Sequence, residues 1–243
     1  DLDPTLTPAT RAYARVWRKA RAATRMRRST SPPARACWMR RFGGWRMTEL
    51  ALIRHATTAW NRERRLQGHR DIPLDDGGRA EAAARRIPSE LRGFRWLSSP
   101  LLRCRETARL LGITPAIEPR LIEVSWGEWE GATKLELKQR ARAEFRARHT
   151  AGLDFQPPGG ESRRALRARL QAWLAEIAAG EEKTAAVTHS GVIRAVYALA
   201  SGWDYLPPMP DKIDWACAQL FRLAPDGTPA VLRLNLPLDG GAA

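Results

Sequence analysis

The chain has 243 residues, enough for one sizeable domain and an appendage. Its formal net charge is +15, and residues 1–46, with eleven Arg, one Lys and two Asp, carry ten of those charges. Cys37, Cys104 and Cys217 lie too far apart for a metal-ligand spacing or a disulfide framework, and no apolar run reaches the roughly 18–20 residues of a membrane span, so the composition argues against a disulfide-stapled or helical membrane protein and fits a reducing cytoplasm.

The leader, residues 1–46, has Pro4, Pro8, Pro32, Pro33 and the pair Gly43-Gly44, and its Arg residues show no amphipathic period. It reads as a disordered or loosely helical basic extension, either a polyanion-binding arm or a non-native addition, without the apolar core of a secretory signal. A chain starting at Met47 would hold the whole of the patterned sequence.

From Glu49 onward short apolar runs alternate with helical stretches, the mark of an α/β fold. The first strand is placed at Glu49–Arg54. Asp76 or Gly77 is placed as the cap of a helix at Arg79–Ile87. A second strand follows at Arg95–Ser98, then a helix at Leu101–Leu111 closed by Gly112. The charged stretch Lys134–His149 reads as one helix. After the Pro157-Pro158-Gly159-Gly160 loop, Ser162–Ala178 places Leu166, Leu170, Trp173, Leu174 and Ile177 on one helix face. A strand at Ala185–Thr188, a helix at Val192–Ser201 and two strands, Trp215–Leu223 and Ala230–Leu236, joined by the turn Pro225-Asp226-Gly227, complete the chain. No internal repeat is present.

The most informative stretch is Leu52-Ile53-Arg54-His55-Ala56-Thr57-Thr58. A buried strand there delivers a guanidinium and an imidazole to its carboxyl end, where open α/β sheets bind ligands. The guanidinium fork suits phosphate, and imidazole is a nucleophile near neutral pH. A His after a strand is often structural, but three further segments alter the balance. Ser98-Ser99-Pro100-Leu101-Leu102-Arg103 follows the second strand. Glu123 precedes Trp126-Gly127-Glu128-Trp129-Glu130-Gly131. Val187-Thr188-His189-Ser190-Gly191-Val192-Ile193-Arg194 brings a second strand-ending His.

In this order, and with Pro157-Pro158-Gly159-Gly160-Glu161-Ser162, these segments resemble the histidine phosphatase superfamily in its phosphoglycerate mutase-like branch, from about Leu50 to Leu236. The resemblance implies a three-layer α/β/α sandwich with a mostly parallel mixed sheet. The chain then divides into an extension, 1–46, and a histidine phosphatase domain, 47–243. It implies that His55 takes the phosphoryl group, that Arg54 and Arg103 grip its oxygens and that His189 completes the pocket as a donor. Nearby cations would keep His55 neutral, and a backbone carbonyl on its other nitrogen would set the tautomer. Glu123 matches the general acid, its protonated form favoured beside a bound phosphate dianion. Asn61, Gln67 and Gly68 match substrate-contacting positions, and the small pair Ser190-Gly191 opens a helix whose N-terminus favours an anion. Glu128 and Glu130 are assigned to their own turn, and His69 and His149 to the surface.

The sequence departs from the family pattern at Ala56, where Gly is frequent, at Thr57, where Glu or Gln is frequent, and at Ser190, which intervenes before Gly191. These small side chains bear on substrate preference and leave every charged catalytic type in place. The leading expectation is a cytoplasmic, metal-independent phosphomonoesterase without cofactor, acting on a small phosphorylated metabolite as monomer or homodimer. No specific nucleic-acid or membrane partner is expected. The family includes sugar-phosphate, nucleotide-like and α-ribazole phosphatases. The alternatives are a cofactor-dependent phosphoglycerate mutase, disfavoured by the short Gly131–Pro157 stretch, and an inactive member with a polyanion-binding arm.

Overall fold

Strand β1 (Thr48–Arg54) lies inside the sheet because Leu50, Ala51, Leu52 and Ile53 are all fully buried, which requires cover on both faces. In the computed structural model, which describes residues 47–147, 150–180 and 182–238, β1 pairs in parallel with β4 (Thr184–Thr188) and antiparallel with β5 (Ala218–Leu223). Strand β2 (Arg95–Ser98) lies parallel to β4 and to the short β3 (Ala116–Ile117), while β6 (Pro229–Leu236) runs antiparallel to β5. The sheet order is β3-β2-β4-β1-β5-β6, so the parallel part is flanked by one antiparallel hairpin. The leader, His149 and Cys37 lie outside the described residues.

Two helical layers cover the sheet. Alternate side chains of β1 divide between them: Leu50 and Leu52 join Leu166, Leu170, Trp173 and Leu174 of α6 (Arg163–Gly180) and Val192, Ile193 and Val196 of α7 (Ser190–Ser201). Ala51 and Ile53 face the other layer with Leu91 and Phe94. There α2 (Asp76–Ala84) and α3 (Leu102–Leu110) pack together, with Cys104 and Ala108 on Val187. This is the α/β fold expected from the alternating pattern, in the three-layer α/β/α form that the family resemblance implies.

Several boundaries differ from the sequence reading. Helix α2 begins at Asp76 because Asp75, not Asp76 or Gly77, accepts from Gly78 N, and it ends at Ala84 rather than Ile87. The single helix expected over Lys134–His149 is broken at Ala141 (φ −135°, ψ 50°) into α4 (Lys134–Arg140) and α5 (Arg142–Ala147). Charge spacing carries no signal for such a break. Helix α7 starts two residues early, at Ser190, and α6 spans Arg163–Gly180 rather than Ser162–Ala178. Residues 215–217 precede β5 instead of belonging to it. Gly112, at φ +73°, follows α3 in the left-handed conformation that favours glycine, as its position predicts. Strand β3 is too short to leave a pattern in the sequence.

Candidate active site

Parallel pairing places Arg54 opposite Thr188, so the next residues along, His55 and His189, leave the sheet side by side. His55 N donates to Thr188 O at 2.9 Å, and the ring centroids stand 5.3 Å apart with planes at 62°. The neighbouring strand end contributes Ser99, whose N–H bonds Val187 O, and Arg103 in the first turn of α3.

His55 is 5% exposed, and its Nδ1 lies 2.7 Å from Ala56 O. A carbonyl can only accept, so Nδ1 carries the hydrogen and Nε2 keeps its lone pair. Burial first, then the charges of Arg54 and Arg103, push its pKa well below the ordinary 6.5. The ring is therefore neutral across the physiological range. Ala56 N donates in turn to Thr107 Oγ1, which itself donates to Arg103 O, so α3 holds the loop behind the imidazole.

Arg103 is completely buried. Its Nη1 donates to Arg70 O at 2.7 Å, its Nη2 to Gly68 O at 2.8 Å and its Nε to His189 Nδ1 at 3.3 Å. Each terminal nitrogen keeps one N–H for a ligand. Since His189 Nδ1 accepts, Nε2 carries the hydrogen and donates to Ser99 Oγ at 2.7 Å. Burial and the Arg103 charge push His189 also well below 6.5. His189 thus stands behind the cavity wall, orienting Arg103, with its own donor spent on Ser99. The Arg54 side chain makes no hydrogen bond among the described residues, and its Nε is buried without a partner. Its guanidinium carbon lies 5.8 Å from the centroid of Trp215.

Glu123 is 8% exposed and lines the same cavity. Its Oε1 accepts from Val124 N at 2.9 Å and its Oε2 from Gly191 N at 3.2 Å, in the first turn of α7. The helix N-terminus expected to hold an anion therefore holds this carboxylate in part. The main chain at Glu123 is clamped from two sides. His69 Nε2 donates to Glu123 O at 2.8 Å; although exposed as expected, this imidazole has a structural contact that the sequence did not indicate. Arg169 of α6 donates to the carbonyls of Arg120, Ile122 and Glu123, and its other edge pairs with Glu161 at 2.8 and 3.0 Å. Glu130 accepts from Trp126 N within its own turn and from His69 N across it, whereas Glu128 is exposed.

The cavity holds about 450 Å³. It brings together Arg54, His55, Arg103, Glu123, Asn61, Gln67, Gly68, Ser190 and Gly191, that is, every expected site residue except His189. Asn61 Oδ1 is spent capping α1 (Ala59–Arg62) through Thr58, leaving its Nδ2 for a ligand. Gln67 Oε1 is buried without a partner. Gly68, at φ +52°, has no room for a Cβ because the Glu130 carboxyl occupies that space. Sequence reasoning missed Arg163, Arg194, Trp203 and Tyr205 in the wall. Only Arg194 had left a signal, one helical turn beyond Ser190.

A neutral buried imidazole flanked by guanidiniums, with a carboxylate opposite, is a site for moving a phosphoryl group. The family model of the histidine phosphatase superfamily (branch 1) matches residues 50–236, and the chain belongs to that superfamily. A metal-independent phosphoserine phosphatase of Arabidopsis thaliana is 34% identical, over 62% of this chain and 68% of its own. A 2,3-bisphosphoglycerate-dependent phosphoglycerate mutase of Gloeobacter violaceus is 31% identical, over 75% of this chain and 89% of its own. The same fold occurs in the crystal structure of a putative α-ribazole-5′-P phosphatase of Escherichia coli, at TM-score 0.68 and 23% identity, covering 81% of this chain and 98% of that one. The chain is accordingly a phosphatase-type enzyme of this superfamily.

Proposed function

We propose that the protein is a cytoplasmic, metal-independent phosphomonoesterase that hydrolyses a small phosphorylated metabolite through a phosphohistidine. The observation that carries this is the state of His55: neutral, with Nδ1 tied to Ala56 O and Nε2 facing a cavity that Arg54 and Arg103 also line. In the first step Nε2 attacks phosphorus, the ester P–O bond breaks, and Glu123 gives its proton to the departing alkoxide. Arg54 and the remaining N–H groups of Arg103 bond the non-bridging oxygens as charge shifts onto them. In the second step Glu123 takes a proton from water, the water oxygen bonds phosphorus, the N–P bond breaks, and phosphate leaves.

Among the described residues no three His, Cys, Asp or Glu side chains group as a metal site, and no helix is long and apolar enough to cross a membrane. The buried thiol of Cys104, beside His189, fits a reducing compartment. The working domain is assigned to residues 47–243, with 1–46 as an accessory extension. A phosphoglycerate mutase is the second reading, favoured by the Gloeobacter relative. Phosphate release from a panel of phosphomonoesters in chelator, run beside a 3-phosphoglycerate mutase assay, tests both. Phosphate release without isomerisation supports the esterase. Isomerisation without net phosphate release would replace it with the mutase.

A further inference from the structure

The two arginines that face the His55 imidazole are held in different ways. Arg103 is fixed by three protein acceptors, Arg70 O, Gly68 O and His189 Nδ1. The Arg54 side chain has no acceptor among the described residues, and its Nε is buried without one. With nothing else to hold it, so long a side chain would lose rotamer freedom each time it closed on a phosphoryl group. What it does meet is Trp215, whose ring centroid lies 5.8 Å from the guanidinium carbon, inside the roughly 6 Å reach of a cation–π contact. The same ring lies 4.7 Å from the guanidinium carbon of Arg194, so two like charges converge on one aromatic side chain.

Trp215 comes from outside the strands and helices that supply the chemistry. Strand β5 is antiparallel to β1 with Gln219 opposite Leu52, so the turn just before β5 stands beside the carboxyl end of β1. Two amide side chains tie that turn down. Gln219, completely buried, donates to Asp214 O at 2.9 Å and to Cys217 O at 3.2 Å, and accepts from Asn235 N at 3.0 Å. The Asn235 side chain, from β6, accepts from Asp214 N at 2.7 Å and donates to Lys212 O at 2.9 Å. Asn235 has φ +59°, and the β5–β6 register shifts between Ala218 and Leu220, an irregularity of the kind that re-aims a strand end beside an active site. A buried amide needs its hydrogen bonds, and these amides spend most of theirs on the backbone to either side of Trp215.

We infer that Trp215 is a positioning residue for phosphoryl transfer: its ring seats the Arg54 guanidinium at the cavity, and Gln219 and Asn235 hold the ring in place. The inference rests on the reading of Arg54 as a grip on the phosphoryl oxygens. Trp215 also packs on the core cluster that contains Ile213 and Phe221, so a purely structural role is the competing explanation. The two differ in what they couple to. A seat for Arg54 acts through that guanidinium, and most where charge develops on the transferring group. A packing residue acts on the folded fraction and on every ligand alike.

Trp215→Leu and Trp215→Phe in the full chain test this, with orthovanadate as a mimic of the transferring group, inorganic phosphate as the product and p-nitrophenyl phosphate as the ester. The calorimetric stoichiometry of orthovanadate binding gives the competent fraction, to which kcat is normalised. Trp215→Leu should lose about 3- to 30-fold in kcat and in orthovanadate affinity, the span of a cation–π contact, with KM and phosphate affinity within about threefold of the parent. Trp215→Phe, which keeps an aromatic face, should recover part of the loss. In an Arg54→Gln background the Leu substitution should cost less than about twofold, because the group it acts through is gone, whereas in an Arg194→Gln background it should keep its full effect. Should Trp215→Leu not fold, Asn235→Gly, which accepts the left-handed backbone and removes both side-chain bonds, should show the same pattern at smaller size. A full loss in the Arg54→Gln background, equal losses on orthovanadate and phosphate, or lost stability with normalised kcat unchanged would overturn the positioning role. Coupling of Trp215 to Arg54 in orthovanadate binding, with no ester turned over by the parent, would count against the phosphatase reading alone.

Discussion

Gly191 N donates to Glu123 Oε2 at 3.2 Å, and the space where a Cβ on Gly191 would stand is taken by the Glu123 carboxyl. The proposed general acid is thus seated on the first turn of the helix that follows His189. The contact is with the end of a flexible side chain, so the fold can give way there while the chemistry cannot. Gly191→Ala should unfold within about 1–2 kcal/mol of the parent, the ordinary range for a single substitution. It should lose about 10- to 100-fold in kcat on alkyl phosphates, inside the usual contribution of a general acid. Thermal unfolding and steady-state kinetics on one preparation check this. Unchanged turnover would show that the seat does not matter.

His55→Ala should abolish turnover and the acid-labile, alkali-stable labelling of the protein by substrate phosphate. The prediction follows from the free Nε2 and from the tautomer set by Ala56 O. Normal covalent labelling of the variant would move the nucleophile elsewhere.

Glu123→Gln should slow esters of poor alkoxide leaving groups far more than aryl phosphates, because only the former need strong proton donation. A difference of about 10²–10⁴-fold is the usual reach of such an acid. Equal losses on both ester types, with the fold intact, would remove Glu123 from the role.

The clamp behind Glu123 makes a separate prediction. Arg169 holds three carbonyls of the 120–123 segment and pairs with Glu161. Arg169→Ala should cost about 1.5–3 kcal/mol of stability, the range for hydrogen bonds to charged groups. It should also slow alkyl esters more than aryl esters, and that selective loss should vanish in the Glu123→Gln background. A loss that ignores the leaving group would make Arg169 a structural residue only.

Stability should fall on acidification below pH 6.5. His55 and His189 both have folded pKa values well below that ordinary value, so each binds a proton in the unfolded chain that it refuses in the folded one. Their neutral burial costs nothing above pH 6.5, and the penalty grows as pH falls toward the folded pKa values. Each adds a slope of about 1.4 kcal/mol per pH unit. Denaturant unfolding between pH 6 and pH 5 should therefore show a slope shallower by about that amount in His55→Gln. An identical slope would mean that His55 protonates in the folded protein.

A chain starting at Met47 should retain its unfolding temperature and its turnover on small esters, since every residue assigned a chemical role lies beyond it. A large loss of either would place the leader in the domain.

Much of this site was legible in the sequence for a local reason. An apolar run marks a buried strand, and the residues just after the run stand at the strand's end, so His55, Arg103 and His189 could be placed from short segments alone. The α/β class followed from the alternation of runs and helical stretches, and the three-layer arrangement from the family resemblance. Boundaries set by single caps were less legible: Asp75 rather than Asp76 starts α2, and Ala141 divides a stretch whose charge pattern is continuous. The tertiary structure alone decided which atoms meet. Ala56 O fixes the His55 tautomer, Ser99 and Arg103 use both nitrogens of His189, and Gly191, sixty-eight positions away, seats Glu123. Arg194 and Tyr205 belong to the cavity for the same reason. Hydrogen bonds and unpaired buried charges depend on the approach of distant segments, and a linear pattern carries no record of those distances until the sheet and its helices have packed.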